Sequence, residues 1–363
     1  MNKNTIIGLT LIFAIMVGYT ILMSPSKEEL EARKKAQDSI AVVQQAMQDS
    51  AKALQLRQEQ LKAATVVNAD TATSVNNTKD GAALRSVYGP FAASANGLDQ
   101  DFLIETDLLK ITINSKGGRI SQVELKEYKT WDGKPTVLFI PDSSAFGLAF
   151  FTDVKAITTQ DLYFAPVWPD ARFAGKNQIS ITGNDSLTFA MRLYAGESDT
   201  IISEDRYIEF VYHIKASNYM LGFDANFVNM QGIVAQNTKE ISINWAARLL
   251  RQEKSLENEK LNTTIHFRHA DEEVDYLSER KDDSQNISTR VKWVSFKQQF
   301  FSSTLIANDL FQNAELTKVR EPEKEQKYLE NMTATLSLPY NPMTDNSLRS
   351  EEHTSELQSR QVI

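Results

Sequence analysis

The chain has no cysteine and only four histidines among its 363 residues. Without cysteine, a disulfide scaffold, a Cys-ligated zinc or iron–sulfur site and a thiol nucleophile are all excluded. Basic residues are also few: 39, against 47 acidic residues, for a formal net charge of −8. That balance argues against a nucleic-acid-binding protein. No Gly-x-Ser-x-Gly, Walker or Gly-x-Gly-x-x-Gly pattern occurs, so we expect no catalytic residue, no cofactor and no metal site.

The composition is that of a folded protein. Hydrophobic residues make up 42% and charged residues 24% of the chain, which is enough apolar material for a core. Its length suits two or three domains, or one large β domain with attachments.

One long hydrophobic segment stands near the N-terminus. Residues Ile6–Met23 contain no charge, and as a helix they would span roughly 27 Å, enough for the hydrocarbon core of a bilayer. The alternative is a cleaved signal peptide, whose apolar region is shorter and ends at a small-x-small site. The run ends Tyr-Thr-Ile-Leu-Met-Ser-Pro without such a site, so the pattern predicts an uncleaved transmembrane anchor over 6–23.

The charges flanking this anchor give a weak indication of its orientation. Lys3 precedes it, whereas four basic residues follow closely, namely Lys27, Arg33, Lys34 and Lys35. Counted literally, the positive-inside rule places the following domain in the cytoplasm. Three glutamates are interleaved with those basic residues, and large domains can cross a membrane despite such charges.

Residues 24–85 read as a helical stalk and a flexible linker. Between residues 27 and 62 the chain is rich in Glu, Lys, Gln, Ala and Leu, without Gly or Pro, a composition typical of helix. Ile40, Met47, Leu54 and Leu61 recur every seven residues, but a second heptad column is missing. A solvated helix is therefore favoured over a dimeric coiled coil, and residues 65–80 read as linker.

The sequence pattern of residues 86–347 is typical of an antiparallel β domain. Leu109–Asn114 alternates apolar and polar residues, and Gly117-Gly118 supplies a tight turn before a further strand at Ile120. Further β segments are predicted at Thr136–Ile140, Gly147–Thr152, Gln178–Thr182, Leu187–Tyr194, Ile201–Ile214, Tyr219–Val228, Glu240–Arg248, Thr263–Arg268, Arg290–Leu305 and Thr333–Leu338. So many short strands predict a mainly β fold, a sandwich of large sheets.

The histidines are the remaining candidates for chemistry. His266 and His269, followed by Asp271 and Glu272, could be drawn as a metal cluster. A strand through them would place residues three apart on opposite faces, which favours surface histidines instead. His213 lies in a predicted strand and could act as a base in a cleft, but no partner is identifiable. A membrane-anchored carbohydrate-active enzyme would need such a histidine to converge with a carboxylate.

Three segments, at Leu103–Tyr128, Trp293–Phe301 and Asn2–Gly8, carry motifs that resemble those of the YidC membrane protein insertase family. Leu103–Tyr128 resembles the opening of that family's periplasmic domain, through Thr106-Asp107-x-Leu109 and Gly117-Gly118. Trp293–Phe301 is similar to the family's W-V-x-x-x-Q-Q-Y-F near the end of the domain, and Asn2–Gly8 resembles its N-terminal anchor.

The resemblance implies residues 1–5 in the cytoplasm, an inner-membrane anchor at 6–23 and a periplasmic β-supersandwich similar to galactose mutarotase at 86–347. It also implies insertion, folding and assembly of nascent inner-membrane proteins in the lipid bilayer, alone or with the Sec translocon. This orientation opposes the literal charge count, and we prefer it because the interleaved glutamates weaken that count. The alternatives are an anchored periplasmic carbohydrate-active or carbohydrate-binding protein and a non-catalytic envelope adaptor.

The sequence departs from the family after its β domain. The family continues into five transmembrane helices that build a hydrophilic groove with an arginine, whereas no apolar run of spanning length follows Met23 here. No groove residue is therefore carried over. Residues 348–363 break off from the β pattern at Ser347 and resemble the translation of a common sequencing adapter. We expect a non-native tail, in which His353 has no function, on a truncated N-terminal fragment.

Overall fold

The computed structural model describes residues 78–356, except 154, 197, 199–200, 272, 323 and 345. The predicted anchor at 6–23 and the stalk helix lie outside these residues. Within them, no helix is both long enough and apolar enough to cross a membrane.

The described part contains two α-helices and twenty β-strands. The helices are α1, Thr78–Tyr88, which a 3-10 turn at Gly89–Ala95 follows, and α2, Leu256–Leu261. The first ten strands are β1 Asp101–Glu105, β2 Leu109–Asn114, β3 Arg119–Lys129, β4 Pro135–Phe139, β5 Ser144–Phe151, β6 Ala156–Thr158, β7 Ala165–Val167, β8 Gln178–Ser180, β9 Ser186–Gly196 and β10 Ile202–Lys215. The remaining ten are β11 Met220–Val228, β12 Glu240–Leu250, β13 Thr264–His269, β14 Val274–Tyr276, β15 Asp283–Ile287, β16 Val291–Lys297, β17 Phe301–Phe311, β18 Ala314–Arg320, β19 Tyr328–Pro339 and β20 Asn346–Glu356.

The strands form three sheets that pack as a sandwich. A nine-stranded sheet has the order β14-β13-β16-β17-β20-β11-β10-β9-β7, and it faces a five-stranded sheet, β4-β3-β2-β1-β8, and a six-stranded sheet, β15-β18-β19-β12-β5-β6. Aromatic contacts join the nine-stranded sheet to the other two, with ring centroids at 5.3 Å for Phe102–Phe189, 5.4 Å for Phe146–Phe223 and 3.7 Å for Trp245–Phe296. The prediction of a mainly β sandwich is confirmed.

The glycine pair between β2 and β3 forms the tight turn that the sequence predicted. Gly117 and Gly118 have φ of +82° and +61°, values that L side chains rarely adopt. A Cβ on Gly118 would lie 2.7 Å from the Phe164 ring, so close packing also requires glycine there. The turn brings β2 and β3 into antiparallel register from Asn114↔Arg119 to Leu109↔Leu125.

One predicted strand is divided in the structure. The segment Arg290–Leu305 was expected to be a single β run, but it forms β16 and β17 around a turn at residues 298–300. Gln298 closes the turn by donating its backbone N–H to the Phe301 carbonyl at 2.7 Å. Its side-chain Nε2–H donates to the Leu250 carbonyl at 2.6 Å. The composition of residues 290–305 favoured a strand throughout. The expectation of one run was wrong because the turn depends on the hydrogen bond from the Gln298 side chain to Leu250, which joins residues far apart in the sequence.

The β pattern also continues beyond Ser347, where it was expected to end. Strand β20 pairs with β11 on one side, from Phe227↔Asn346 to Met220↔His353, and with β17 on the other. Any extended segment between two strands satisfies their unpaired backbone groups, whatever its side chains. Strand formation therefore does not bear on the origin of residues 348–363, which stays a prediction.

Candidate functional site

The sandwich encloses a small cavity between its layers. Its lining residues include Arg119, Phe146, Tyr212, Phe223, Trp245 and Leu305, and its volume is about 30 Å³. That is room for about two water molecules. A monosaccharide does not fit this space, so the cavity is not the sugar-sized cleft that a carbohydrate-active enzyme needs.

Polar groups at the edge of this cavity bond to the protein itself. The Arg119 guanidinium donates to Ser144 Oγ at 3.0 Å and to the Pro141 carbonyl at 3.1 Å. Burial lowers its pKa from the usual value. The Tyr212 hydroxyl donates to the Gly118 carbonyl at 2.6 Å. The Tyr212 bond holds the β2–β3 turn against β10, and the Arg119 bonds hold the start of β3 against residues 141–144. All three bonds therefore have a structural role.

His213 has a carboxylate partner that sequence reasoning missed. Its Nε2 lies 3.1 Å from Oδ2 of Asp224, and its Nδ1 lies 3.3 Å from Oγ1 of Thr188. The three residues sit on neighbouring strands β11, β10 and β9, on one face of the nine-stranded sheet. The sequence could have indicated Asp224 through the register of the hairpin that turns at residues 216–219. This register pairs His213 with Gly222 and places Asp224 two residues further along β11, on the same face.

The surroundings of His213, Asp224 and Thr188 determine whether these residues could act in catalysis. The His213 side chain is 48% exposed and Asp224 is 20% exposed, and neither lines the cavity. A histidine with a carboxylate can move a proton, but this pair lies on the sheet surface beside a threonine. Its position fits a cross-strand bridge that stabilises the sheet.

His266 and His269 do not converge on a shared point. The His266 ring stacks on Tyr276 at 5.3 Å, whereas His269 Nδ1 lies 3.1 Å from Thr289 Oγ1. Burial, helped by Lys297, lowers the pKa of His266 to about 4. Asp271 follows in a turn, and Glu272 lies outside the described residues. Across the part of the chain that the structure describes, no group of three acidic or histidine side chains could hold a metal ion.

A buried ion pair joins β18 and β19. Lys318 Nζ lies 3.4 Å from Glu330 Oε2, and both side chains are fully buried. Arg320 Nε is 3.4 Å from the other carboxylate oxygen. Burial lowers the pKa of Lys318 and raises that of Glu330, while their mutual attraction opposes both shifts. Sequence reasoning missed this pair because it predicted no strand at β18.

Three turns meet at one end of the sandwich. Trp131, in the β3–β4 turn, donates its backbone N–H to the Gln252 carbonyl at 3.0 Å. On the other side, the Asn258 side chain in α2 donates to Gln299 Oε1 in the β16–β17 turn at 3.3 Å. We call residues 129–134, 251–261 and 298–300 together the turn surface. It exposes Trp131 (51%), Leu261 (47%) and Phe300 (47%).

Comparison with known proteins gives one family match. The family described as YidC periplasmic domain matches residues 102–350. The chain is 30% identical over 341 residues to the membrane protein insertase YidC of Parabacteroides distasonis, covering 94% of this chain and 49% of the relative. It is 33% identical over 344 residues to the YidC of Bacteroides fragilis, with the same coverage of 94% and 49%. The chain therefore spans about half the length of the curated relatives it matches.

Solved structures with a similar fold are much more distant in sequence. A galactose mutarotase related enzyme from Lactobacillus acidophilus aligns with a TM-score of 0.42 and 12% identity, covering 72% of this chain and 99% of the other. A putative aldose 1-epimerase from Escherichia coli K12 aligns with a TM-score of 0.41 and 10% identity, covering 71% and 99%. At these values the likeness carries no information about activity.

Proposed function

This chain belongs to the YidC family, and from that premise we propose that it supplies the membrane anchor and periplasmic domain of a membrane protein insertase. The family match over residues 102–350 carries the proposal, because it covers nearly all of the described β domain. The relatives named above support it, since their similarity extends over 94% of the chain.

The proposed location is the bacterial inner membrane. Residues 1–5 would lie in the cytoplasm, residues 6–23 would span the bilayer and the β domain would lie in the periplasm. The proposed partners are nascent inner-membrane proteins, the lipid bilayer and the Sec translocon. The apolar, uncharged composition of Ile6–Met23 supports the anchor.

The physics of insertion limits what this anchor can do. A central Asp or Lys in a spanning segment costs on the order of 2.5–3.5 kcal/mol on insertion scales. An insertase lowers that barrier by offering a hydrated, charged cavity within the membrane. A single uncharged spanning segment, as we propose for residues 6–23, could not enclose such a cavity, so we propose that the insertion route lies in the half of the relatives that this chain does not match.

We also propose that the β domain acts without a catalytic site. The carbohydrate-active alternative requires a histidine and a carboxylate in a cleft. His213 and Asp224 provide the two groups, but neither residue lines the cavity between the layers, the open cleft around Phe151 and Glu240 or the open cleft around Lys254 and Glu321. The position of this pair favours a binding or organising role for the domain over catalysis.

A rescue experiment tests the insertase proposal. The host insertase is depleted, and cells express either this chain or a fusion of residues 1–347 to the unmatched half of the Bacteroides fragilis relative. Growth is expected with the fusion and not with the chain alone. Growth with the chain alone would show that insertion depends on the β domain itself. Failure of a stably expressed fusion to support growth would contradict the proposal.

A further inference from the structure

The space between β11 (Met220–Val228) and β17 (Phe301–Phe311), which β20 fills, lies at the centre of the nine-stranded sheet. We call this space the central slot. We propose that the central slot is an acceptor for an extended segment with apolar residues at its inward positions, and that its occupant is the part of a longer parent chain that follows Ser347. The inference rests on membership of the family and stands apart from the insertase proposal, because it concerns only how the sheet is completed.

The central slot is bounded by strand backbone on both sides. Strand β20 is the fifth of nine strands, and it pairs with β11 over residues 346–353 and with β17 over residues 350–356. An empty slot would leave a row of unpaired N–H and C=O groups on each flanking strand. The slot therefore requires an extended segment, and the side chains that line it decide which segment fits.

The inward side of the central slot is apolar. Leu221 and Phe223 of β11 are at most 5% exposed, and Leu305 and Ala307 of β17 are at most 3% exposed. The register places position 352 between Leu221 and Leu305. It places position 350 between Phe223 and Ala307. Because side chains alternate between the two faces of a strand, both positions belong to the buried face, where apolar residues fit.

The residues that fill these positions do not match that lining. Residues 349–356 read Arg-Ser-Glu-Glu-His-Thr-Ser-Glu and include no apolar residue. The register assigns Ser350 and Glu352 to the two buried positions, and an ionised carboxylate is unfavourable at a position surrounded by apolar side chains. A slip by one residue would bring only other polar or charged residues to this face. No register of the segment therefore offers an apolar side to the core.

The cavity between the layers adjoins the same two positions. Phe223 and Leu305, which line it, are register partners of positions 350 and 352. A void among core side chains forfeits the contacts that a filled core would make. Larger apolar residues at 350 and 352 would therefore find free volume as well as apolar neighbours.

The loop before β20 directs the following part of the chain into the slot. Asn341 donates its backbone N–H to Asn346 Oδ1 at 2.9 Å, and Asn346 Nδ2 donates to the Asn341 carbonyl at 2.6 Å. Both bonds close the loop ahead of Ser347, so they do not depend on the residues that follow it. The next residue, Leu348, is 7% exposed and lies opposite Ala225, at an inward position.

The position of this loop favours the chain's own continuation over a separate protein as the source of the strand. A segment tethered at the entrance of the slot has a high effective concentration there, which a second copy or another protein lacks. The curated relatives are about twice as long as this chain, which covers 49% of each, so a family member has further residues to supply the strand.

Single replacements in β20 test the apolar lining. Glu352→Leu supplies an apolar residue at the buried position and should raise the ratio of folded to unfolded chain about tenfold, as expected for burial of most of one Leu side chain. The matched control is Glu351→Leu, the same change at the outward position opposite Gly222 and Ile306, which should change the ratio by less than about twofold. Urea unfolding of the full chain measures both. Equal effects, or a loss of stability with Glu352→Leu, would overturn the proposal.

Disulfide formation tests the occupant, because this chain has no cysteine. The fusion from the rescue experiment, with any cysteine of the relative's half replaced by serine, carries Ile306→Cys and a cysteine at the fourth residue after Ser347. That residue is position 351, the register partner of Ile306. Opposed residues in antiparallel strands have Cα atoms about 4.5–5.5 Å apart, which a disulfide can span. The matched control has its second cysteine at the fifth residue, position 352, which belongs to the other face.

Oxidation should link the two cysteines within one chain for position 351 and not for position 352, as read from mobility on a denaturing gel. A link between two chains would assign the slot to a second copy. No link, or equal links at both positions, would assign it to another segment or another register. Each of these results would overturn the proposed occupant, and each is read without growth, so it is separate from the outcome of the rescue experiment.

Discussion

The imidazole of His213 in β10 reaches diagonally to Asp224 in the neighbouring strand β11, with 3.1 Å between Nε2 and Oδ2. Gly222 lies directly opposite His213 in the pairing of β10 and β11. A Cβ at position 222 would lie 3.1 Å from the Cβ of His213, so the glycine leaves the room through which the ring passes to the carboxylate. The pair is thus a product of strand register and of one missing side chain.

His213→Ala should leave function intact. Because the ring is 48% exposed, loss of its contact with Asp224 should lower the free energy of unfolding by no more than about 1 kcal/mol. The measurements are urea unfolding of the chain and growth rescue by the fusion with and without the change. A rescue defect in a normally stable variant would revive the carbohydrate-active alternative.

Glu330→Ala should be strongly destabilising. Removing this carboxylate leaves the fully buried Lys318 ammonium without its partner, which typically costs about 3–5 kcal/mol. The control is the double change Lys318→Met and Glu330→Leu, which removes both charges and should recover most of the loss. Urea unfolding measures all three proteins, and a single variant as stable as the parent would show that the pair is not buried as described.

Trp245→Ala should also unfold the domain at lower denaturant concentration. The indole stacks on Phe296 at 3.7 Å with an 8° angle between the rings, and truncating a buried Trp costs about 3–5 kcal/mol. Trp131→Ala, at a side chain that is 51% exposed, is the matched control and should cost less than about 1 kcal/mol. Similar losses for both would contradict the packing between the two sheets.

Acid should destabilise the domain in part through His266. Its pKa is lowered from 6.5 to about 4, first by burial and then by the nearby charge of Lys297. Between these values the unfolded chain binds a proton that the folded chain does not, so stability falls as the pH drops from about 6.5 to about 4. His266→Phe keeps a ring against Tyr276 and should flatten this dependence. The test is urea unfolding across that pH range; the same slope in both proteins would contradict the shift.

The β domain should be accessible from the periplasm. Met343→Cys places a single thiol on the exposed loop between β19 and β20 in a chain with no other cysteine. In intact cells with a permeabilised outer membrane, a thiol reagent that cannot cross the inner membrane should label it fully. Labelling only after the inner membrane is lysed would restore the orientation that the literal charge count indicates.

The local elements of this fold could be predicted from the sequence, because their signals are local. Alternation over Leu109–Asn114 and the turn at Gly117-Gly118 depend on neighbouring residues only, and both appear where predicted. Strand β18 was missed because its inward positions include Lys318. A charged side chain on a buried face hides the alternation unless its partner, Glu330, is known.

What the sequence by itself determined is the mainly β class, the hairpin at Gly117-Gly118 and the family to which the chain belongs. Only the tertiary structure decided that Gln298 turns the chain back toward β17, that Asp224 meets His213, and that Trp131, Leu261 and Phe300 share one end of the sandwich. The physical reason is that each of these depends on strand order and register. In the hairpin of β10 and β11, a slip of one residue would move Asp224 to the other face of the sheet. Elsewhere, hydrogen bonds between segments far apart in the chain, such as that from Gln298 to Leu250, set the arrangement.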